Sequence, residues 1–147
     1  LKPIASRVGA AAPVYADSAR FVLGLDKLPL KRVVNDARVT DHHAIIPTEA
    51  DHDLGALNND ERRIYDMVAR RFLAVFHPEA RFENTTVETR CSEHLFRSKG
   101  KVMIEAGWRA VYGEEADETR GPSKDEEERD QKLPQLREGE AVTCTQS

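Results

Sequence analysis

Apolar residues recur at helical spacing twice in the first half of this chain, and the pattern changes after Pro78. The clearer helix begins near Asn58. Ile64, Met67, Val68, Phe72, Val75 and Phe76 form a stripe that follows the roughly 3.6-residue period of a helix. Asn58 with Glu61 spells a capping box, Asp60 and Glu61 suit the positive end of the helix dipole, and His77-Pro78 ends the pattern. Arg63, Asp66 and Arg70 fall on the opposite face and read as solvated spaced charges. Upstream, residues 1–30 are alanine-rich and helical, punctuated by Pro3, Pro13 and Pro29. Pro13 suits a first helical position and Gly24 a helix end, with Val14, Tyr15, Ser18, Phe21, Val22 and Leu25 as the packing face. Lys31-Arg32-Val33-Val34 is a short β-like run leading into a turn at Asn35-Asp36.

Past Pro78 the grammar is that of strands. Phe82 to Cys91 is rich in threonine and valine, Ser92-Glu93-His94 can turn the chain, and Leu95-Phe96-Arg97 starts a second strand. Gly100 predicts a bulge or bend before Val102-Met103-Ile104 continues. Gly107 to Tyr112 reads as a third strand and Leu136 to Thr145 as a fourth, separated by a charged segment at about 114–132 that reads as a disordered acidic loop. The fold class is therefore α+β: a helical piece over 1–80 and a small antiparallel β-sheet over 81–147.

Composition bounds this picture. At 147 residues, 39% hydrophobic with nine aromatics, the chain can bury a modest core. No apolar run approaches the roughly 18 residues of a membrane span, and no signal peptide is visible, so no membrane partner is expected. Two cysteines, Cys91 and Cys144, make no disulfide framework, which suits a cytoplasmic setting. The start at Leu1 reads as an excerpt of a longer protein. The net charge of −4 misleads, because Glu114 to Asp130 alone sums to −6 and leaves the other residues at +2. Arg62, Arg63, Arg70 and Arg71 cluster within that remainder, so a nucleic-acid partner stays permitted.

Candidate chemistry concentrates in Thr40-Asp41-His42-His43-Ala44-Ile45-Ile46-Pro47-Thr48. Histidine charge is easily set near neutral pH, and the Pro47 stop fixes where the backbone turns. Three readings compete. A metal site could draw on Asp41, His42, His43, Glu49, Asp51, His52 and Asp53, yet adjacent histidines rarely point the same way and the spacing matches neither HExxH nor a zinc ribbon. A metal-dependent phosphoesterase of the Asp-His-His type would use Asp41-His42-His43, but it needs upstream aspartates on a strand; only Asp17, Asp26 and Asp36 precede it, in helical or turn contexts.

The third reading is by resemblance. Val39-Thr40-Asp41-His42-His43-Ala44-Ile45-Ile46-Pro47-Thr48 resembles a run of the type IA DNA topoisomerases, of the bacterial topoisomerase III kind. Glu61 to Phe76 is similar to the helix that follows in that family. Gly100-Lys101-Val102, Gly107 to Tyr112, Leu133-Pro134 and Glu138-Gly139-Glu140 resemble its later strands, in order, from about residue 30 onward. The resemblance implies a DNA-cleaving isomerase in which a tyrosine attacks a phosphodiester, forms a 5′-phosphotyrosyl link and permits strand passage. Residues 1–80 would be the remainder of the helical tyrosine-bearing domain, and 81–147 part of the toroidal arch. His42 would take a supporting catalytic role by contacting a DNA phosphate, as an imidazolium donating N–H bonds to growing charge. Arg38, Thr40 and His43 would add backbone contacts that position single-stranded DNA without reading sequence. Related enzymes often carry an acidic residue where His43 stands. Thr48 would cap a turn.

The same resemblance exposes gaps. The family's nucleophile lies upstream in a Tyr-x-Arg-(Ser/Thr)-Asp-Ser context. Tyr15-Ala16-Asp17-Ser18 only echoes it, while Tyr65 belongs to a core-facing helix and Tyr112 to a strand end. The acidic metal-binding Toprim motif is missing too, since Asp51-His52-Asp53 follows the histidines in a loop. The expectation is a piece that starts just downstream of the tyrosine, binds no cofactor itself, and is inactive alone. Its parent would use Mg2+, and its partners would be DNA and the parent's remaining domains, in the cytoplasm at the nucleoid. The competing non-enzymatic reading is a single-stranded DNA-binding module using Arg63 and Arg70.

Overall fold

A computed structural model describes residues 1–39, 42–113, 133–134 and 136–143. Among these, the elements are α1 (Lys2–Ala11), α2 (Pro13–Gly24), a single turn α3 (Leu30–Val33), α4 (Asn59–Ala74), and strands β1 (Arg81–Cys91) and β2 (His94–Glu105). Short 3-10 turns occupy Asp36–Arg38, Leu54–Ala56 and Gly107–Val111. The molecule is of mixed α+β class, with its core in the helical part.

Helices α1 and α2 form a tight hairpin whose corner is Ala12, extended at φ −159°, with Pro13 opening α2. Ile4, Ala5 and Val8 face Tyr15, Ala19 and Val22 across it. Gly9 permits the close approach, because a Cβ there would stand 2.5 Å from the Ala19 Cβ. The Lys2 ammonium reaches the carbonyls of Leu23 and Leu25, placing a cation at the negative end of α2.

Helix α4 starts where its sequence says. The Asn58 side chain accepts from the backbone N–H groups of Asp60 and Glu61, at 2.9 and 3.0 Å, and the Asn58 N–H donates back to Glu61 Oε2 at 2.8 Å. Its inward face departs from the predicted stripe. Ala69, Phe72, Leu73 and Phe76 are buried with Tyr65 packed beside them, whereas Ile64 and Met67 remain 59% and 63% exposed. Both sets have helical spacing, and the α1–α2 hairpin selects the one centred on Leu73. The same selection corrects the predicted face of α2: Tyr15, Ala19 and Val22 are buried, while Val14 and Phe21 stay exposed.

Four further expectations fail for tertiary reasons. Lys31 to Val34 is not β-like: it lies in and just after α3, where no described strand pairs with it, and Arg32 donates to the carbonyls of Val75 and His77 at 2.9 and 2.7 Å. Its guanidinium thereby closes the C-terminal end of α4. Gly107 to Tyr112 is not a third strand but a 3-10 turn. Gly107 sits at φ +51° with its Cα against the Glu79 carbonyl, and the Trp108 N–H donates to the Pro78 carbonyl at 2.9 Å. That clamp folds the chain back so that Val111 enters the core. Gly100 makes no bulge: it pairs with Thr85 and is buried, and the register shift falls between Arg81 and Phe82. Finally, residues 136–143 contain a turn at Glu138-Gly139 instead of a strand, closed by the Glu140 carboxylate on the Arg137 N–H at 2.9 Å. Cys144 and Thr145, and the predicted acidic loop at 114–132, lie outside the described residues.

The sheet is thus one antiparallel hairpin, β1 with β2, turning at Ser92-Glu93. Arg81 pairs with Glu105 at its base and Arg97 with Glu88 midway, at 2.9 and 2.8 Å.

Candidate nucleic-acid interface

The histidine run crosses the surface between α3 and α4. Arg38, in the 3-10 turn Asp36–Arg38, is exposed, as are His42 and His43. Among the described residues none of the three side chains has a hydrogen-bond or ion-pair partner, while the Arg38 backbone N–H donates to the Asn35 carbonyl at 3.1 Å. Ile45 is 84% exposed beside them. Thr40 and Asp41 lie outside the described residues. The run is nevertheless held at its far end. Pro47 is buried, Thr48 Oγ1 accepts from the Ala50 N–H at 3.3 Å, and Arg7 donates to the Glu49 carbonyl at 3.1 Å while pairing with Asp51. Exposed imidazoles on a pinned backbone can meet a ligand without first ordering the chain.

Beneath the run lies a relay of polar side chains that the sequence reading missed. His52 places Nε2 3.1 Å from the Thr48 carbonyl and Nδ1 2.6 Å from the Tyr65 hydroxyl. A carbonyl only accepts, so Nε2 carries the proton, and the neutral ring then accepts the Tyr65 O–H at Nδ1. Tyr65 meets Tyr15 edge-on at 6.0 Å between ring centroids. The Tyr15 O–H donates to Asp66 Oδ1 at 2.8 Å, and Arg70 Nε donates to both oxygens of Asp66 at 2.8 and 2.9 Å. Arg70 also donates to the Val111 carbonyl at 2.9 Å. The relay therefore ties the histidine loop to α4, α2 and the clamp that follows the hairpin. Asp66 and Arg70 are not the solvated pair expected, since the Arg70 side chain is only 14% exposed. Their four-residue separation was the available signal, but periodicity alone cannot say that a charged face turns inward.

Electrostatics separate these tyrosines from nucleophilic roles. Burial and then the Asp66 carboxylate drive the Tyr15 phenol well above its ordinary value, and burial also raises Tyr65. Neither supplies a phenolate near neutral pH. Tyr112 is partly buried against Trp108, with ring centroids 5.8 Å apart. His77 is the buried histidine: Nδ1 donates to the Leu73 carbonyl at 3.0 Å, its ring stacks on Phe21 at 4.3 Å, and burial lowers its pKa.

Among the described residues no three of His, Cys, Asp and Glu converge as a metal site. Nor is any described helix long and apolar enough to cross a membrane. A groove of about 1070 Å³ lies away from the histidines, between the hairpin and residues 133–134 and 136–140. Among its described lining residues Glu83, Glu138 and Glu140 outnumber Arg137, which makes it a poor cradle for phosphate.

The exposed His42, His43 and Arg38 side chains, with no partner among the described residues, share a segment held at its far end by Pro47, Arg7 and His52. Residues 9–147 match the family model described as DNA topoisomerase, and the chain belongs to that family. It is 45% identical over 129 residues to DNA topoisomerase 3 of Bacillus licheniformis, covering 88% of this chain and 17% of that protein. Identity to DNA topoisomerase 3 of Bacillus subtilis strain 168 is 46% over 129 residues, covering 84% and 17%. For a DNA topoisomerase 3 of Bacillus cereus it is 40% over 115 residues, covering 77% and 15%. The chain thus spans about a sixth of the length of these relatives.

Proposed function

We propose that this chain is part of a type IA DNA topoisomerase of the topoisomerase III kind, and that His42 is a supporting phosphate contact in its cleavage site. The observation that carries the reading is an exposed His42 with unused donors on a backbone pinned by Pro47, Arg7 and His52. Family membership and the relatives' names support the DNA substrate. In this reading the parent enzyme cleaves one strand through a 5′-phosphotyrosine, passes another strand and reseals. His42 donates N–H bonds to the phosphate as negative charge grows on its oxygens. Arg38, Thr40 and His43 hold the flanking single-stranded backbone in register. Residues 1–80 belong to the tyrosine-bearing domain and 81–147 to the arch, and the relay from His52 to Val111 couples the two. The nucleophile and the Mg2+ site are contributed by other parts of the parent.

The reading of a non-catalytic module based on Arg63 and Arg70 is less well served, because Arg70 is committed to Asp66 and Val111. The test places His42→Ala in the full-length parent and measures relaxation of negatively supercoiled DNA. The expected loss is about 100-fold, the order seen when one donor to a developing oxyanion is removed. Near-normal relaxation rejects the assignment.

A further inference from the structure

The two faces of the hairpin differ in charge. Alternation along β2 puts Arg97, Lys99 and Lys101 on one face, with Arg90 on the same face of β1 by cross-strand register. Two acids share that side among the described residues, and both are paired: Glu88 with Arg97 through bonds of 2.8 and 3.1 Å, and Glu105 at the base with Arg81 at 2.9 Å. Lys101 Nζ lies 4.6 Å from the centre of the Phe82 ring, with the Arg109 guanidinium 5.5 Å from the same ring. The opposite face carries Glu83 and the buried Gly100, and it forms the acidic groove with residues 133–134 and 136–140. No helix packs broadly on the hairpin.

We propose that the Arg97–Lys99–Lys101 face of the hairpin is a second docking surface, for the phosphate backbone of a single DNA strand. It rests on the DNA reading above but not on His42. Successive side chains on one face of a strand stand about 6.7 Å apart. A row one residue wide at that spacing tracks one sugar-phosphate backbone, whereas a duplex presents two across a groove. Such contacts are sequence-independent and salt-sensitive. They hold a strand against the hairpin while the histidine loop engages a different phosphate.

The test uses the 147-residue chain and a fluorescently labelled oligothymidylate, with anisotropy read across a salt series. Lys99→Gln with Lys101→Gln should lower the slope of log K against log salt by roughly 0.7 for each cation removed. Lys27→Gln with Lys31→Gln, which removes the same charge from exposed sites elsewhere, should leave the slope unchanged. Lys99→Arg with Lys101→Arg should restore it, which excludes misfolding as the cause. Equal effects from the two Gln pairs, or none from the hairpin pair, overturn the proposal. So does tighter binding of the matching duplex through the same lysines. His42→Ala separates the two readings: a hairpin effect that persists in that variant supports the second surface whether or not His42 itself binds.

Discussion

The histidine loop and the core beneath it use the same residue type in opposite ways. The His42 and His43 side chains are exposed and bonded to no described residue, whereas His52 has both ring nitrogens and His77 its Nδ1 committed within the fold. A side chain already satisfied by its own protein contributes to the fold, and one left unsatisfied on a pinned backbone is available to a ligand. Proximity in sequence hides the distinction, since His43 and His52 are only nine residues apart. Hydrogen-bond partners, not histidine content, separate the structural histidines from the two proposed to bind.

Four substitutions on the structural side sharpen that contrast. The largest effect is expected from Gly107→Ala. An L-residue in the left-handed region costs roughly 1–2 kcal/mol. The new Cβ would also stand 2.4 Å from the Glu79 carbonyl oxygen, so the clamp must open. Urea unfolding should show a fall beyond the backbone term alone, and unchanged stability would remove the clamp from the account.

Asp66→Asn comes next. It leaves the Tyr15 hydroxyl and the largely buried Arg70 guanidinium with a neutral partner, at an expected cost of about 2 kcal/mol. Arg97→Gln, which breaks an exposed pair on the hairpin, should cost under about 1 kcal/mol by the same assay. Equal costs would mean that the relay is no more structural than a surface ion pair.

The smallest effect is a pH dependence. Burial lowers the pKa of His77 in the folded state, so the unfolded chain binds the proton more tightly. The contribution is complete above the unfolded value of about 6.5 and is lost as pH falls from there toward the folded value, at no more than about 1.4 kcal/mol per pH unit. His77→Gln should flatten that part of the stability profile. A slope that persists undiminished points to another group.

The legible parts of the fold were those decided locally. Asn58 and Glu61 sit three residues apart and satisfy each other wherever α4 packs, and Pro13 and Gly24 are the first and last residues of α2. What the sequence could not convey depended on distant partners. Gly107 to Tyr112 has strand-like composition, but the Pro78 carbonyl and the room beside Glu79 turn it into a 3-10 clamp. Ile64 and Met67 have the same periodicity as Tyr65 and Ala69, and only the position of the α1–α2 hairpin chooses between them. The candidate site followed the same rule. The run around His42 was conspicuous as a motif, while the relay that supports it reaches from Thr48 to Val111 with Tyr15 contributed from upstream, and no local spacing reveals it.

The most direct test of this division is a titration of the 147-residue chain with single-stranded oligonucleotide, followed through the imidazole resonances of its five histidines by NMR. The His42 signal, assigned by its loss in His42→Ala, should move on DNA addition, while those of His52 and His77 stay in place. Movement of His52 and His77 with a stationary His42 would contradict the account.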